Sequence, residues 1–130
     1  MVKNNPGEPY SRISSEEALE MQKKGDSTVI DVRNEDEYHL GHVKNALWIP
    51  VDEIVQRMEE LPEKGNLLFI CAVGARSGLA AEYASSLGID SSRLFNIEDG
   101  TPTWINKGLP TSTGNEKWLL AIQKFMLLDQ

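Results

Sequence analysis

Leu67-Leu68-Phe69-Ile70-Cys71-Ala72-Val73-Gly74-Ala75-Arg76-Ser77-Gly78 is the stretch whose reading decides the fold. Its first four residues are apolar without alternation, as a strand buried on both faces of a parallel sheet requires. Cys71, four small residues and an arginine follow, and Ser77 to Leu87 then reads as an Ala-rich helix ended by Gly88. Strand, tight loop and helix form the repeating unit of α/β folds, in which ligands collect at the carboxyl ends of the strands. Cys71 stands at that end.

The flanking segments repeat the alternation. Ser14-Ser15-Glu16-Glu17 is a capping box that opens a helix through Ala18, Leu19 and Met21, stopped by Gly25. Thr28 to Val32 reads as a buried strand. Asn34 with Glu37 caps a short helix that Gly41 ends, and Ala46 to Ile49 reads as a second central strand closed by Pro50. Asp52 to Leu61 is expected as an amphipathic helix, with Ile54, Val55, Met58 and Leu61 on one face and Pro62 at its end. Arg93 to Ile97 is a further strand. Thr101-Pro102 opens a short helix capped by Gly108, and Asn115 to Leu128 is expected as a last helix with an apolar stripe of Trp118, Ile122, Phe125 and Met126. Strands alternating with helices mean an α/β domain, its sheet mostly parallel and its helices on both faces.

Composition narrows the function. At 130 residues the chain holds one core rather than two. Thirteen basic against 20 acidic residues, a net charge of −7, argue against nucleic acid, whose phosphates need clustered Lys and Arg. A single cysteine excludes an internal disulfide framework and a Cys-rich zinc site, and two histidines three residues apart, His39 and His42, make no metal site without further ligands. No apolar run approaches the roughly 18–20 residues that span a bilayer, and the polar, Pro-containing N-terminus lacks a signal-peptide core. The expectation is a cytoplasmic protein with no membrane contact, no metal and no cofactor. Its expected organisation is a flexible segment over 1–9, the α/β domain over 10–111 and a helical extension over 112–130.

The loop after Phe69-Ile70 carries chemistry. Its successive backbone N–H groups can converge on an anion, and the helix that follows adds the positive end of its dipole. A sulfur in such a bowl is favoured as thiolate, the nucleophilic form. Ala72, Val73, Gly74 and Ala75 bring no competing charge, and Arg76 supplies a fixed positive charge and a donor fork. The plainer reading of Cys71 is a small buried hydrophobe at a strand end.

The loop resembles the active-site loop of single-domain rhodaneses, Cys-x-x-Gly-x-Arg-Ser, in Cys71, Gly74, Arg76 and Ser77. A second motif of that family is matched by Val29-Ile30-Asp31-Val32-Arg33, Glu37-Tyr38, Gly41-His42-Val43, Asn45-Ala46 and Ile49-Pro50, and a third by Gly100, Trp104 and Gly108-Leu109-Pro110. The resemblance spans roughly Tyr10 to Thr111. It implies a rhodanese-like fold with about five strands in the sheet. It also implies a sulfurtransferase in which Cys71 takes the outer sulfur of thiosulfate or a persulfide and passes it to cyanide or a thiol. Ala72 to Arg76 would bind the donor, and Asp31, Arg33 and Ser77 would support the loop. Asp31 and Arg33 carry two readings: one orienting the loop and steering anions, the other with Arg33 paired to an acid of the short helix such as Glu37. His42 is read as a hydrogen-bonded packing residue, and Trp48 and Trp104 as core or rim, Trp104 being the one favoured to wall the pocket. Asp99 departs from the pattern, since many relatives have glycine there. With Arg76 as the loop's one basic residue, dianionic thiosulfate is expected to bind weakly.

Two other classes share this fold. Cysteine phosphatases and arsenate reductases have five residues between Cys and Arg, whereas four, Ala72 to Ala75, lie here. A regulatory binding module would need no cysteine, and a persulfide carrier lies between module and enzyme. The expected partners are a small-molecule sulfur donor and a thiol, cyanide or protein acceptor, with the chain a monomer or homodimer.

Overall fold

A computed structural model of the chain describes residues 2–114. Five strands form one sheet: β1 (Ser11–Ile13), β2 (Ser27–Asp31), β4 (Leu47–Trp48), β5 (Asn66–Ile70) and β6 (Leu94–Ile97). Their order is β1-β6-β5-β2-β4, and every pairing is parallel. The apolar run of β5 therefore lies mid-sheet, with Leu67, Leu68, Phe69 and Ile70 fully buried. A separate antiparallel pair joins β3 (His42–Val43) to β7 (Thr111–Ser112).

Among the described residues there are four α-helices: α1 (Ser15–Lys23), α2 (Glu35–Leu40), α3 (Ala75–Ser86) and α4 (Gly100–Asn106). On one face Ala80, Ala81 and Ala84 of α3 meet Ile30, Leu67, Phe69 and Leu94, with Ile54 and Leu61 completing the cluster. On the other face Ala18 of α1 and Trp104 of α4 pack with Val29, Leu68, Ile70 and Ile97. The small side chains of α3 let that helix lie close to the sheet and bring its first turn over the end of β5. Ser14 opens α1 as expected, accepting from the Glu17 N–H at 3.2 Å while its own N–H donates to the Glu17 carboxylate at 2.9 Å.

Three expectations are corrected. The Ala46–Ile49 segment is not a central strand, because only Leu47–Trp48 pairs and it lies at the sheet edge beside β2. Asp52 to Leu61 is not one helix but two 3-10 turns, Val51–Glu53 and Met58–Glu60, with Arg57 between them at φ −113° and ψ 21°. Ile54 and Leu61 are buried all the same. Met58 packs partly buried against the same cluster, but Val55, expected on that face, is exposed, because two tight turns do not hold the helical period. Of the two readings of Trp104, core holds and pocket wall does not: it is fully buried, its indole N–H donating to the Pro110 carbonyl at 2.9 Å.

The segment ahead of β1 pairs back on it, the Lys3 N–H donating to the Arg12 carbonyl at 2.9 Å and the Arg12 N–H to the Lys3 carbonyl at 2.7 Å. The expected helix over Asn115–Leu128 lies outside the described residues. Among the described residues no helix is long and apolar enough to cross a membrane.

Candidate active site

Cys71 follows the last residue of β5 and is carried to the sheet's carboxyl edge. Its carbonyl accepts from the Thr101 N–H at 2.8 Å and the Thr101 hydroxyl at 3.2 Å, which ties it to the first turn of α4. The chain then turns through Ala72 and Val73 to Gly74, which adopts φ +92° and caps α3. A Cβ at Gly74 would lie 3.2 Å from the Glu98 carbonyl oxygen, so left-handed backbone and close approach both call for glycine. The turn before α4 presses harder. A Cβ on Gly100, itself at φ +81°, would stand 1.8 Å from the Ala72 carbonyl oxygen.

This path wraps the loop around the sulfur. The Gly74 N–H donates to Cys71 Sγ at 3.1 Å, and the Ser77 hydroxyl lies 3.2 Å from it. Burial pushes the thiol up; the Ser77 hydroxyl and the peptide N–H groups of Ser77, Val73 and Gly74 pull it down, and the outcome is below the ordinary thiol value. Among these amides the Gly74 N–H is the one that makes a hydrogen bond of good geometry to the sulfur. Cys71 has no exposed surface, whereas Val73 on the loop's rim is 79% exposed. The sulfur is thus closed off from solvent.

Arg76 does not present a free fork. Its two terminal nitrogens donate to the two Glu37 carboxylate oxygens at 2.7 and 2.9 Å. Arg33, expected as a partner of Glu37, pairs instead with Asp31: Nη2 donates to Oδ2 at 2.8 Å and Nε to Oδ1 at 3.0 Å, while Nη2 also donates to the Gly41 carbonyl at 2.6 Å. Asp31 is fully buried and Arg33 nearly so. The pair joins the end of β2 to the end of α2, next to the Glu37–Arg76 pair. His42 stacks on Tyr38 with ring centroids 3.8 Å apart, and its Nδ1 lies 2.9 Å from the Tyr38 carbonyl oxygen, which is the packing role expected of it. Between α2 and α4 a groove of about 260 Å³ opens beside Arg33 and Glu37, walled by Leu40, Pro102 and Ile105. Among the described residues no cluster of three His, Cys, Asp or Glu side chains is placed to hold a metal ion.

The model of the rhodanese-like domain family matches residues 14–107, which includes every element from α1 to α4. The chain belongs to the rhodanese-like family. Among its relatives, the thiosulfate sulfurtransferase GlpE of Coxiella burnetii is 30% identical over 107 residues, covering 82% of this chain and 97% of that protein. An HTH-type transcriptional regulator of Mycobacterium tuberculosis is 32% identical over 109 residues; the match takes in 83% of this chain but only 47% of the regulator, so the chain spans about half its length. Among solved structures, a rhodanese-related protein of Thermoplasma volcanium superposes with a TM-score of 0.69 at 32% identity, covering 78% of this chain and 96% of that one.

This rhodanese-like site contains two residues that sequence reasoning passed over. Thr101 holds the Cys71 carbonyl. Asn96, fully buried in β6, accepts from the Ser77 hydroxyl at 2.6 Å and donates to the Gly74 carbonyl at 3.0 Å. A buried asparagine within an otherwise apolar strand, Leu94-Phe95-Asn96-Ile97, is the feature that points to it, since such an amide must find partners.

Proposed function

We propose that this chain is a sulfurtransferase that carries sulfane sulfur on Cys71. The Cys71 thiolate attacks the outer sulfur of the donor. With thiosulfate a sulfur–sulfur bond forms on Cys71, the donor's S–S bond breaks, and sulfite leaves with the bonding electrons. Cyanide or a thiolate then attacks the terminal sulfur of the Cys71 persulfide, forming thiocyanate or a new persulfide and returning the thiolate. The observation that carries this reading is the Gly74 N–H held 3.1 Å from the sulfur at the start of α3. Oriented amides and a helix N-terminus stabilise a sulfur anion before the reaction and the persulfide anion after it. A binding module that performs no chemistry has no use for that arrangement.

The donor favoured here is a persulfide rather than thiosulfate. Arg76 is neutralised by Glu37, so the loop offers a dianion no uncompensated cation. The apolar groove walled by Leu40, Pro102 and Ile105 suits the organic part of a thiol persulfide. Four residues between Cys71 and Arg76 leave a bowl sized for one sulfur, which counts against the phosphatase reading.

The test is intact-mass analysis of the protein after separate incubation with glutathione persulfide and with thiosulfate, followed by cyanide. One added sulfur on the wild type, absent from Cys71→Ser and released as thiocyanate, is the expected result, with the persulfide loading at lower concentration. Failure of both donors to add sulfur overturns the reading.

A further inference from the structure

The hydroxyl of Ser77 has one proton and two buried neighbours able to accept it, Cys71 Sγ at 3.2 Å and Asn96 Oδ1 at 2.6 Å. The orientation of the Asn96 amide decides where that proton lies. Asn96 Nδ2 faces the Gly74 carbonyl oxygen at 3.0 Å, an acceptor that only an N–H can satisfy. Oδ1 therefore faces Ser77, and the short contact requires the hydroxyl to donate to it. Toward the sulfur Ser77 is left with a lone pair, which suits an S–H donor. All three residues are fully buried, so water does not supply a missing partner.

We infer that Asn96 is a positioning residue which holds the Ser77 proton away from Cys71 while the sulfur is a thiol, and that forming the thiolate requires that proton to turn from Asn96 to the sulfur. In the thiol state the chain S–H to Ser77 to Asn96 is fully paired. In the thiolate state one proton serves two acceptors, and a buried acceptor left short is costly. Asn96 thus opposes ionisation, against the pull of the Val73, Gly74 and Ser77 amides. The persulfide, one atom longer, takes the charge away from Ser77 and allows the hydroxyl to return to Asn96. The relay biases the loop toward a stable resting thiol and a stable loaded state, with the reactive thiolate between them.

The charged groups around the sulfur do not account for this. Arg76 on α3 is held by Glu37 of α2, and Arg33 by Asp31 at the end of β2. From the turn between β6 and α4, Glu98 is bound by Lys3 and Arg12, and Asp99 by the Ser15 N–H and Lys107. The Ser77 hydroxyl and the Asn96 amide bond instead to Cys71, to each other and to the Gly74 carbonyl.

The inference gives the proposed sulfur carrier its resting state, and its test is a titration that needs no sulfur transfer. A failed titration therefore leaves the transfer reading standing, and a failed transfer leaves this one standing. Thiolate absorbance of the reduced protein is followed against pH, with Cys71→Ser as the blank. Asn96→Val suits a strand, removes the competing acceptor and leaves the Gly74 carbonyl bonded to the Gly78 N–H at 3.1 Å. Its midpoint should fall by about one pH unit, and the same substitution made in Ser77→Ala should produce no shift. An unmoved or raised midpoint in folded Asn96→Val overturns the inference, as does a fall that persists without the Ser77 hydroxyl. Should Asn96→Val not fold, Ser77→Ala alone decides. Its midpoint should rise by less than about one unit, because losing the acceptor for the S–H largely offsets losing the donor to the thiolate; a rise of about one unit or more would show that Ser77 donates freely to the sulfur.

Discussion

Glu37 and Arg76 close on each other as a two-pronged pair at 2.7 and 2.9 Å, joining α2 to the first turn of α3 directly beside the sulfur loop. The pair sets the charge that an incoming donor meets. Glu37→Gln keeps the side chain's shape and still accepts from the Asn34 N–H, but leaves the Arg76 charge uncompensated. The KM for thiosulfate should fall about fivefold, the equivalent of roughly 1 kcal/mol for a partly exposed pair. The KM for a singly charged persulfide should change less. Steady-state kinetics with both donors check this, and equal KM values in wild type and variant would mean that Arg76 does not face the donor.

The same pair predicts an acid-range signature. The Arg76 donors hold the Glu37 carboxyl at about 2 against an ordinary value of 4.5. A folded-state value below the unfolded one means stabilisation that is fully present above pH 4.5 and lost as pH falls through about 2. Urea unfolding of wild type and Glu37→Gln should differ by about 1 kcal/mol or less near neutrality, and the difference should vanish at the acid end. A difference that grows on acidification would contradict the pairing.

Cys71→Ser should abolish sulfur loading and thiocyanate formation without unfolding the protein. The hydroxyl is nearly isosteric and can accept from the Gly74 N–H, yet it is a far weaker nucleophile at neutral pH. Circular dichroism and intact mass check the two halves separately. Retained transfer in a folded variant would remove Cys71 from the chemistry.

Asp31 and Arg33 make the most buried ion pair among the described residues, with side chains 0% and 6% exposed. Asp31→Ala leaves a guanidinium without its counter-charge inside the protein, a change that typically costs about 3–5 kcal/mol. Denaturant unfolding should show a loss of that order, larger than the loss from Glu37→Gln. Similar losses in the two variants would mean that water reaches Arg33.

Neighbours in sequence and neighbours in space explain what could be read in advance. Strand β5, the loop after it and the start of α3 are consecutive residues, so their apolar run, small residues and glycine reveal a strand–loop–helix unit directly. The same holds for the capping box of α1. Partner choice across the fold is different. Arg76 lies 39 residues from Glu37, and Ser77 lies 19 from Asn96. Local spacing offered Arg33 as the partner of Glu37; the fold turns Arg33 back onto Asp31, two residues away, and gives Glu37 to α3. Strand β1 has only three residues, too few to display a period, and β4 has two. The stripe of Ile54, Met58 and Leu61 carries inward-facing positions but not the backbone that delivers them.

Gly100 offers the most local test of how the loop is held. Its peptide lies against the loop so closely that a Cβ would stand 1.8 Å from the Ala72 carbonyl oxygen and 3.2 Å from that of Cys71. No side chain can yield there, because the obstructing atoms are backbone. The residue is also at φ +81°, where an L side chain adds strain of about 1–3 kcal/mol before any clash. Gly100→Ala must therefore push the turn before α4 away from the loop. That movement weakens the bonds from the Thr101 N–H and hydroxyl to the Cys71 carbonyl. The expected variant is destabilised and slow in sulfur transfer, with amide exchange quickened at Val73, Gly74 and Thr101 but not in the centre of β2. Thr101→Val is the companion change: it removes the hydroxyl bond, keeps the N–H bond and introduces no clash. It should lose far less activity than Gly100→Ala. Comparable losses in the two variants would shift the weight from backbone approach to the Thr101 hydroxyl, and a fully active, stable Gly100→Ala would mean that the contact between turn and loop is looser than the structure has it.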